Sequence, residues 1–228
     1  MGGFANNAPI VTDGLVFYVD AGNGNSYPNS GTTWSDLIGG NDGTLANGPT
    51  LDSGNGGSLV FDGTNQYALI GDGLISGLSQ FTIDTWVKVD QTNSPMNIIY
   101  HEWFASDNAV LFRIQSNVIQ FYIRKSDDSG NIGGSFNSFT DTTNWNHLVG
   151  TWDGTTLKVY VNKSAMATTY TGSGAVRVTT TQNSYIGYYG NPPIYYFDGK
   201  MSSLKIYNRA LSASEITQNY NALKNRFV

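Results

Sequence analysis

Residues 81–89 alternate without a break: Phe81, Ile83, Thr85, Val87 and Val89 share one side, and Thr82, Asp84, Trp86 and Lys88 the other. A period of two marks an extended strand, because successive side chains point to opposite faces of a sheet. Shorter runs of the same kind return at residues 15–19, 58–61, 67–70, 97–101, 110–115, 118–124, 145–152, 157–161, 165–171, 184–188 and 199–207. Between them stand clusters of Gly, Asn, Asp and Ser, the residues that supply turns. Ser116-Asn117 and Asp153-Gly154 each lie between two such runs and predict hairpins. Asp62-Gly63-Thr64-Asn65 predicts a turn joining 58–61 and 67–70 as a strand pair. Residues 21–57 are rich in Gly, Asn and Ser, broken by Trp34, Leu37 and Leu45, with one short strand expected near 43–45. No linker and no fixed repeat interrupts this rhythm. Residues 1–228 therefore read as one antiparallel, all-β domain of about a dozen strands.

One segment breaks the pattern. Ser212 is a good helix N-cap, and Glu215 follows three residues later as a capping box. Leu211 and Ile216 have the spacing of a hydrophobic staple. Ile216, Tyr220, Leu223 and Phe227 recur at helical spacing, so a C-terminal helix is expected to dock one face on a sheet. Lys224 and Arg226 suit its C-terminal end.

Charge narrows the partners. Charged residues are 13% of the chain, and the net charge is -5. Nucleic acid is a poor fit, since phosphate neutralisation needs clustered Lys and Arg. No apolar run approaches a membrane span of about 18 residues. The first residues show no export signal, and Asn6 stands where a myristoylation motif needs Ser or Thr. With no Cys, disulfides and thiolate metal sites are impossible.

Four segments resemble a known family. Residues 150–162 (GTWDGTTLKVYVN) are similar to the W-D-G hairpin of laminin-G-like domains in the concanavalin A-like lectin/glucanase superfamily. Residues 59–63 (LVFDG) resemble its L-x-F-D-G strand end, and 81–87 (FTIDTWV) its F-T-x-x-x-W strand. Residues 197–212 (FDGKMSSLKIYNRALS) resemble its closing strand and the start of its terminal helix. The matches fall in the family's order and span nearly the whole chain. The resemblance implies a jelly-roll sandwich of two antiparallel sheets. The segments 14–22 (GLVFYVDAG) and 208–216 (NRALSASEI) look most like those of stand-alone domains in tailed-phage structural proteins.

The glucanase branch carries Glu-x-Asp-x-(x)-Glu on one strand, because glycoside hydrolysis needs paired carboxylates. This chain has two Glu, Glu102 and Glu215, and no such motif. Asp84 reads as a solvated strand residue and His147 as structural, so no enzymatic activity is expected. The resemblance admits one structural Ca2+, for which Asp20, Asp62 and Asp198 are the candidate ligands. The competing reading makes Asp62-Gly63, Asp153-Gly154 and Asp198-Gly199 plain turns.

Two aromatic loops could contact a glycan or a partner protein. One holds His101 and Trp103. The other holds Tyr188, Tyr189, Asn191, Tyr195 and Tyr196, stiffened by Pro192 and Pro193. Sugars stack on such rings and bond to amides. The sequence thus points to a lectin-like structural protein of a phage virion, in the capsid decoration, neck or tail. It would be made in the host cytoplasm and bind other virion proteins, as a symmetric oligomer, and glycans. The alternative is a secreted bacterial carbohydrate-binding module.

Overall fold

The computed structural model describes residues 8–93, 97–104, 107–127, 129–178, 183–190 and 194–227. The alternating runs become strands β1 (Leu15–Asp20), β2 (Thr33–Trp34), β3 (Gly43–Ala46), β4 (Thr50–Asp52), β5 (Ser58–Asp62), β6 (Tyr67–Asp72) and β7 (Phe81–Val89). Then follow β8 (Asn97–Phe104), β9 (Asp107–Gln115), β10 (Val118–Arg124), β11 (Asn131–Ser138), β12 (Asn146–Trp152), β13 (Thr156–Val161), β14 (Ser164–Ala165) and β15 (Tyr170–Thr171). The chain closes with β16 (Asn183–Ile186), β17 (Tyr188–Tyr189), β18 (Tyr195–Tyr196), β19 (Asp198–Tyr207) and helix α1 (Ala213–Leu223).

Two antiparallel sheets form a jelly-roll sandwich. The first runs β14-β13-β12-β7-β19-β5-β4, with β1 beside β19 and β15 beside β13. The second runs β11-β10-β9-β8-β16-β6-β3-β2, and β17 with β18 forms a separate ribbon. Their facing sides are filled by Phe17, Ile83, Phe112, Ile123, Leu148 and Trp152, all buried. Phe81 of β7 meets Phe121 of β10 edge-on at 5.9 Å, tying the two sheets together. Each such side chain contributes roughly 1.5–3 kcal/mol by leaving water.

The hairpins form where the turn residues put them. Ser116 and Asn117 both adopt left-handed backbone, φ 53° and 62°, which matches strand twist in a two-residue turn. Asp153 closes the next hairpin by accepting the amides of Thr155 and Thr156.

Four expectations change. The 58–61 and 67–70 runs do not pair: β5 lies in the first sheet and β6 in the second, so the Asp62 turn crosses between layers. Asp198-Gly199 is not a turn but the start of β19, with Asp198 opposite Asp62. Gly199 has φ 138°, and a Cβ there would stand 2.3 Å from the Lys88 carbonyl oxygen. The run at 165–171 yields only the short β14 and β15. Finally, Asp84 is not solvated; it is 0% exposed.

The burial of Asp84 follows from what covers the outer side of the first sheet. Helix α1 and the segment before β1 lie on it, building a second apolar layer from Val11, Leu15, Val149, Tyr160, Tyr207, Leu211 and Ile216. Ser212 and Glu215 form the capping box as expected. Within this layer Lys205 Nζ donates to Asp84 Oδ1 at 3.0 Å, and Asn219 Nδ2 donates to Asp84 Oδ2 at 2.8 Å. His147 Nε2 lies 3.0 Å from Oδ1. Burial drives the Asp84 carboxyl upward, but Lys205, His147 and Asn219 outweigh it and hold it well below the usual carboxylate range. Arg226 does not serve the helix end. It reaches across to Asp20, Nη1 to Oδ2 at 2.8 Å and Nη2 to Oδ1 at 2.9 Å.

Candidate binding cleft on the eight-stranded sheet

The second sheet has one side in the core, and among the described residues no helix lies over its other side. On β9, Val110, Phe112 and Ile114 point inward, leaving Leu111 and Arg113 outward. On β10, Ile119, Phe121 and Ile123 are buried while Gln120, Tyr122 and Arg124 are half-buried. Register sets a row across six strands: Leu69, Tyr185, His101, Leu111, Tyr122 and Gly133 stand opposite one another in turn. Gly133, at φ 125°, adds no side chain beside Tyr122 and leaves that flank open. A Cβ there would lie 2.1 Å from the Phe121 carbonyl oxygen, so the backbone approach itself requires glycine.

The β17–β18 ribbon adds a wall. Tyr188 pairs with Tyr196 and Tyr189 with Tyr195. Tyr188 stacks on Tyr67 at 4.7 Å and Tyr196 on Tyr67 at 6.4 Å. Tyr189 lies 5.0 Å from the His101 ring. The result is a cleft of about 160 Å³ lined by Leu111, Arg113, Tyr122, Ile123, Asn131 and Tyr189. Arg113 Nε donates to Gln120 Oε1 at 2.7 Å, which fixes the guanidinium against the sheet. Burial pushes its pKa below the ordinary value, and the phenols of Tyr122, Tyr189 and Tyr195 lie close enough to act on it.

The floor under this row is tied down by hydrogen bonds. Glu102 points to the core side of β8, is 1% exposed, and accepts from the Tyr100 hydroxyl and the Ile75 amide, both at 2.6 Å. Burial raises its pKa and, more strongly, that of the Tyr100 phenol beside it. This carboxyl anchors β8 to the loop before β7 and does not face the cleft.

The candidate residues read from sequence separate accordingly. Tyr189 lines the cleft, and Tyr195 stands on the other ribbon strand, its ring 6.2 Å from that of Tyr189 and its phenol close enough to act on Arg113. Tyr188 and Tyr196 belong to the neighbouring Tyr67 stack. His101 is 0% exposed and supports Tyr189 from beneath, so it cannot touch a ligand directly. Trp103 extends β8, pairing with Asn108, but its side chain lies outside the described residues, as does all of Asn191. Leu111, Arg113 and Tyr122 lie at outward positions of alternating runs that are legible in the sequence, whereas Asn131 starts β11, a strand that none of those runs marks.

The three Asp residues do not form one metal site. Asp62 and Asp198 are opposed across β5 and β19, whereas Asp20 sits opposite Ser203, five positions farther along β19. That separation is roughly 17 Å at 3.3 Å per residue. Both Asp20 oxygens are taken by Arg226. Asp198 accepts from Gln91 Nε2 at 2.8 Å, and burial with Asp90 and Asp62 nearby raises its pKa. Among the described residues no three His, Cys, Asp or Glu side chains converge on a possible ion.

The family model for laminin-G-type domains of the concanavalin A-like lectin/glucanases superfamily matches residues 62–217. The chain belongs to that superfamily. Solved structures agree on the fold of this concanavalin A-like domain. A Trypanosoma rangeli sialidase in complex with sialic acid aligns with TM-score 0.68 at 18% identity, over 96% of this chain and 34% of that one. The concanavalin A-like domain thus spans about a third of the sialidase's length. Domain 4 of AbnA, an extracellular arabinanase of Geobacillus stearothermophilus, in complex with arabinotriose, aligns at TM-score 0.62 and 20% identity, over 90% of this chain and 98% of that domain. The binding domain of a botulinum neurotoxin in complex with rat synaptotagmin II aligns at TM-score 0.67 and 13% identity, over 92% and 52%. No curated protein matches the sequence.

Proposed function

We propose that this concanavalin A-like chain is a non-catalytic, lectin-like protein that holds a glycan in the cleft between Tyr122 and Tyr189, as a structural component of a bacteriophage virion. The observation that carries the binding reading is the cleft itself: two phenol rings, the Asn131 amide and the Arg113 guanidinium meet on the open side of one sheet. Rings offer a stacking surface for a sugar's C–H face, and the polar groups fix its orientation. The structurally similar arabinanase domain, in complex with arabinotriose, supports sugar contact for this fold. The non-catalytic reading rests on the carboxylates. Glu102 is locked beneath the sheet, Glu215 is bound to Arg209, and among the described residues the cleft lining contains neither Asp nor Glu.

The virion setting rests on the resemblance of segments 14–22 and 208–216 to phage structural domains, with other virion proteins as the docking partners. The near-complete overlay on a single arabinanase domain favours a second setting, a secreted carbohydrate-binding module. A glycan array followed by calorimetry tests the binding reading. Tyr189→Ala and Tyr122→Ala are each expected to weaken the best ligand by about tenfold, the loss of roughly 1.4 kcal/mol of ring contact, with unchanged melting. Binding that ignores both changes overturns the cleft. Product release from a polysaccharide panel overturns the non-catalytic reading, and purified virions lacking the chain by mass spectrometry overturn the setting.

A further inference from the structure

Resting on the glycan reading above, we infer that the sugar held in this cleft is acidic, with its carboxylate received by Arg113. The donor inventory points there. A neutral sugar presents hydroxyls that need acceptors as well as donors, and Asp or Glu usually supplies the acceptors. Here the one charged side chain among the described lining residues is a guanidinium, which has five N–H donors and no acceptor. The Asn131 amide oxygen is already approached by Arg124 Nη1 at 3.5 Å. Arg124 itself stands two residues from Tyr122 on the same outward side of β10, so a second guanidinium borders the cleft. In a chain of net charge -5 with 12 Lys and Arg, two arginines flanking one tyrosine on an open sheet are not the background.

Position adds to composition. Arg113 is half-buried among phenols, where losing water disfavours its charge. A carboxylate arriving there forms a charge-assisted hydrogen bond, about twice as strong as a neutral one, in a site of reduced dielectric. The planar guanidinium fork matches the planar carboxylate, and Gln120 on its Nε fixes the fork's direction. At about 160 Å³ the cleft is smaller than the roughly 300–1,000 Å³ of drug-sized pockets, which suits a single terminal or branching acidic residue.

The test uses the full chain on an array of uronate- and sialate-bearing glycans, each paired with its methyl ester, together with sulfated and neutral glycans. Calorimetry on the strongest acid–ester pair follows. We expect the acid to bind at least tenfold tighter than its ester, and Arg113→Gln to remove that ratio while melting stays unchanged. Arg113→Lys should restore part of it. An ester that binds as tightly as its acid overturns the inference, as does a ratio that survives Arg113→Gln. Binding confined to sulfated glycans overturns the carboxylate assignment. Neutral-glycan binding that disappears in Tyr189→Ala leaves the glycan reading standing and this inference alone refuted. An array blank for every glycan refutes both.

Discussion

Replacing Lys205 by Met tests whether the Asp84 network is an ionic unit or a passive filler. The side chain keeps its length and most of its volume, so packing changes little. What goes is the cation 3.0 Å from Asp84 Oδ1, in a pair whose two side chains are both 0% exposed. Asp84 then keeps only Asn219 Nδ2 and His147 in a layer sealed by α1. Breaking one side of a buried pair costs about 3–5 kcal/mol, because the remaining charge has lost water and gained nothing. For a chain of this size that is roughly 6–20 °C in melting temperature. Differential scanning calorimetry and urea titration would read it.

The pH dependence carries the sharper signature. Asp84 is depressed in the folded protein, so its stabilisation is present above the unfolded carboxylate pKa of 3.8 and is lost as pH falls below it toward the lower folded value. Without Lys205, burial prevails and favours the protonated acid. The gap between wild type and Lys205→Met should therefore be widest near neutrality and narrow as pH falls through about 4. The double variant Asp84→Leu/Lys205→Met should be more stable than Lys205→Met alone, since no charge is stranded. A single-variant loss below 1 kcal/mol, or a gap constant with pH, refutes the reasoning. Glycan binding by the folded fraction should not move, because the cleft lies on the other sheet.

Two further outcomes follow from local geometry. Gly199→Ala should cost about 2–4 kcal/mol in urea unfolding, since its φ of 138° and the Lys88 carbonyl at 2.3 Å both oppose a Cβ; Gly24→Ala, with open space around it, should be neutral within about 0.5 kcal/mol. Glu215 is held down to about 2 from 4.5 by Arg209 and the Ser212 amide, so the stability difference between wild type and Glu215→Gln should be full above pH 4.5 and vanish as pH falls toward 2. A difference that grows on acidification would contradict that assignment.

The alternation at 81–89, the Ser116-Asn117 turn and the Ser212/Glu215 capping box each depend on neighbours within a few residues, and all three stand in the structure where the sequence puts them. Local rules suffice there because turn geometry and strand period are properties of adjacent residues. The same rules pair 58–61 with 67–70, yet those strands part into different sheets, because a turn does not reveal which layer its second arm joins. Asp84 reads as solvated because alternation tells two faces apart but not what will lie on each; α1, more than a hundred residues later, decides that both are covered. The cleft has the same origin. Arg113, Tyr122 and Asn131 come from three strands, and Tyr189 from a ribbon that folds over them. Their chemistry is written in the sequence, but their meeting depends on strand register and on which side of the sheet stays open, and those are fixed only when the whole sandwich closes around its core.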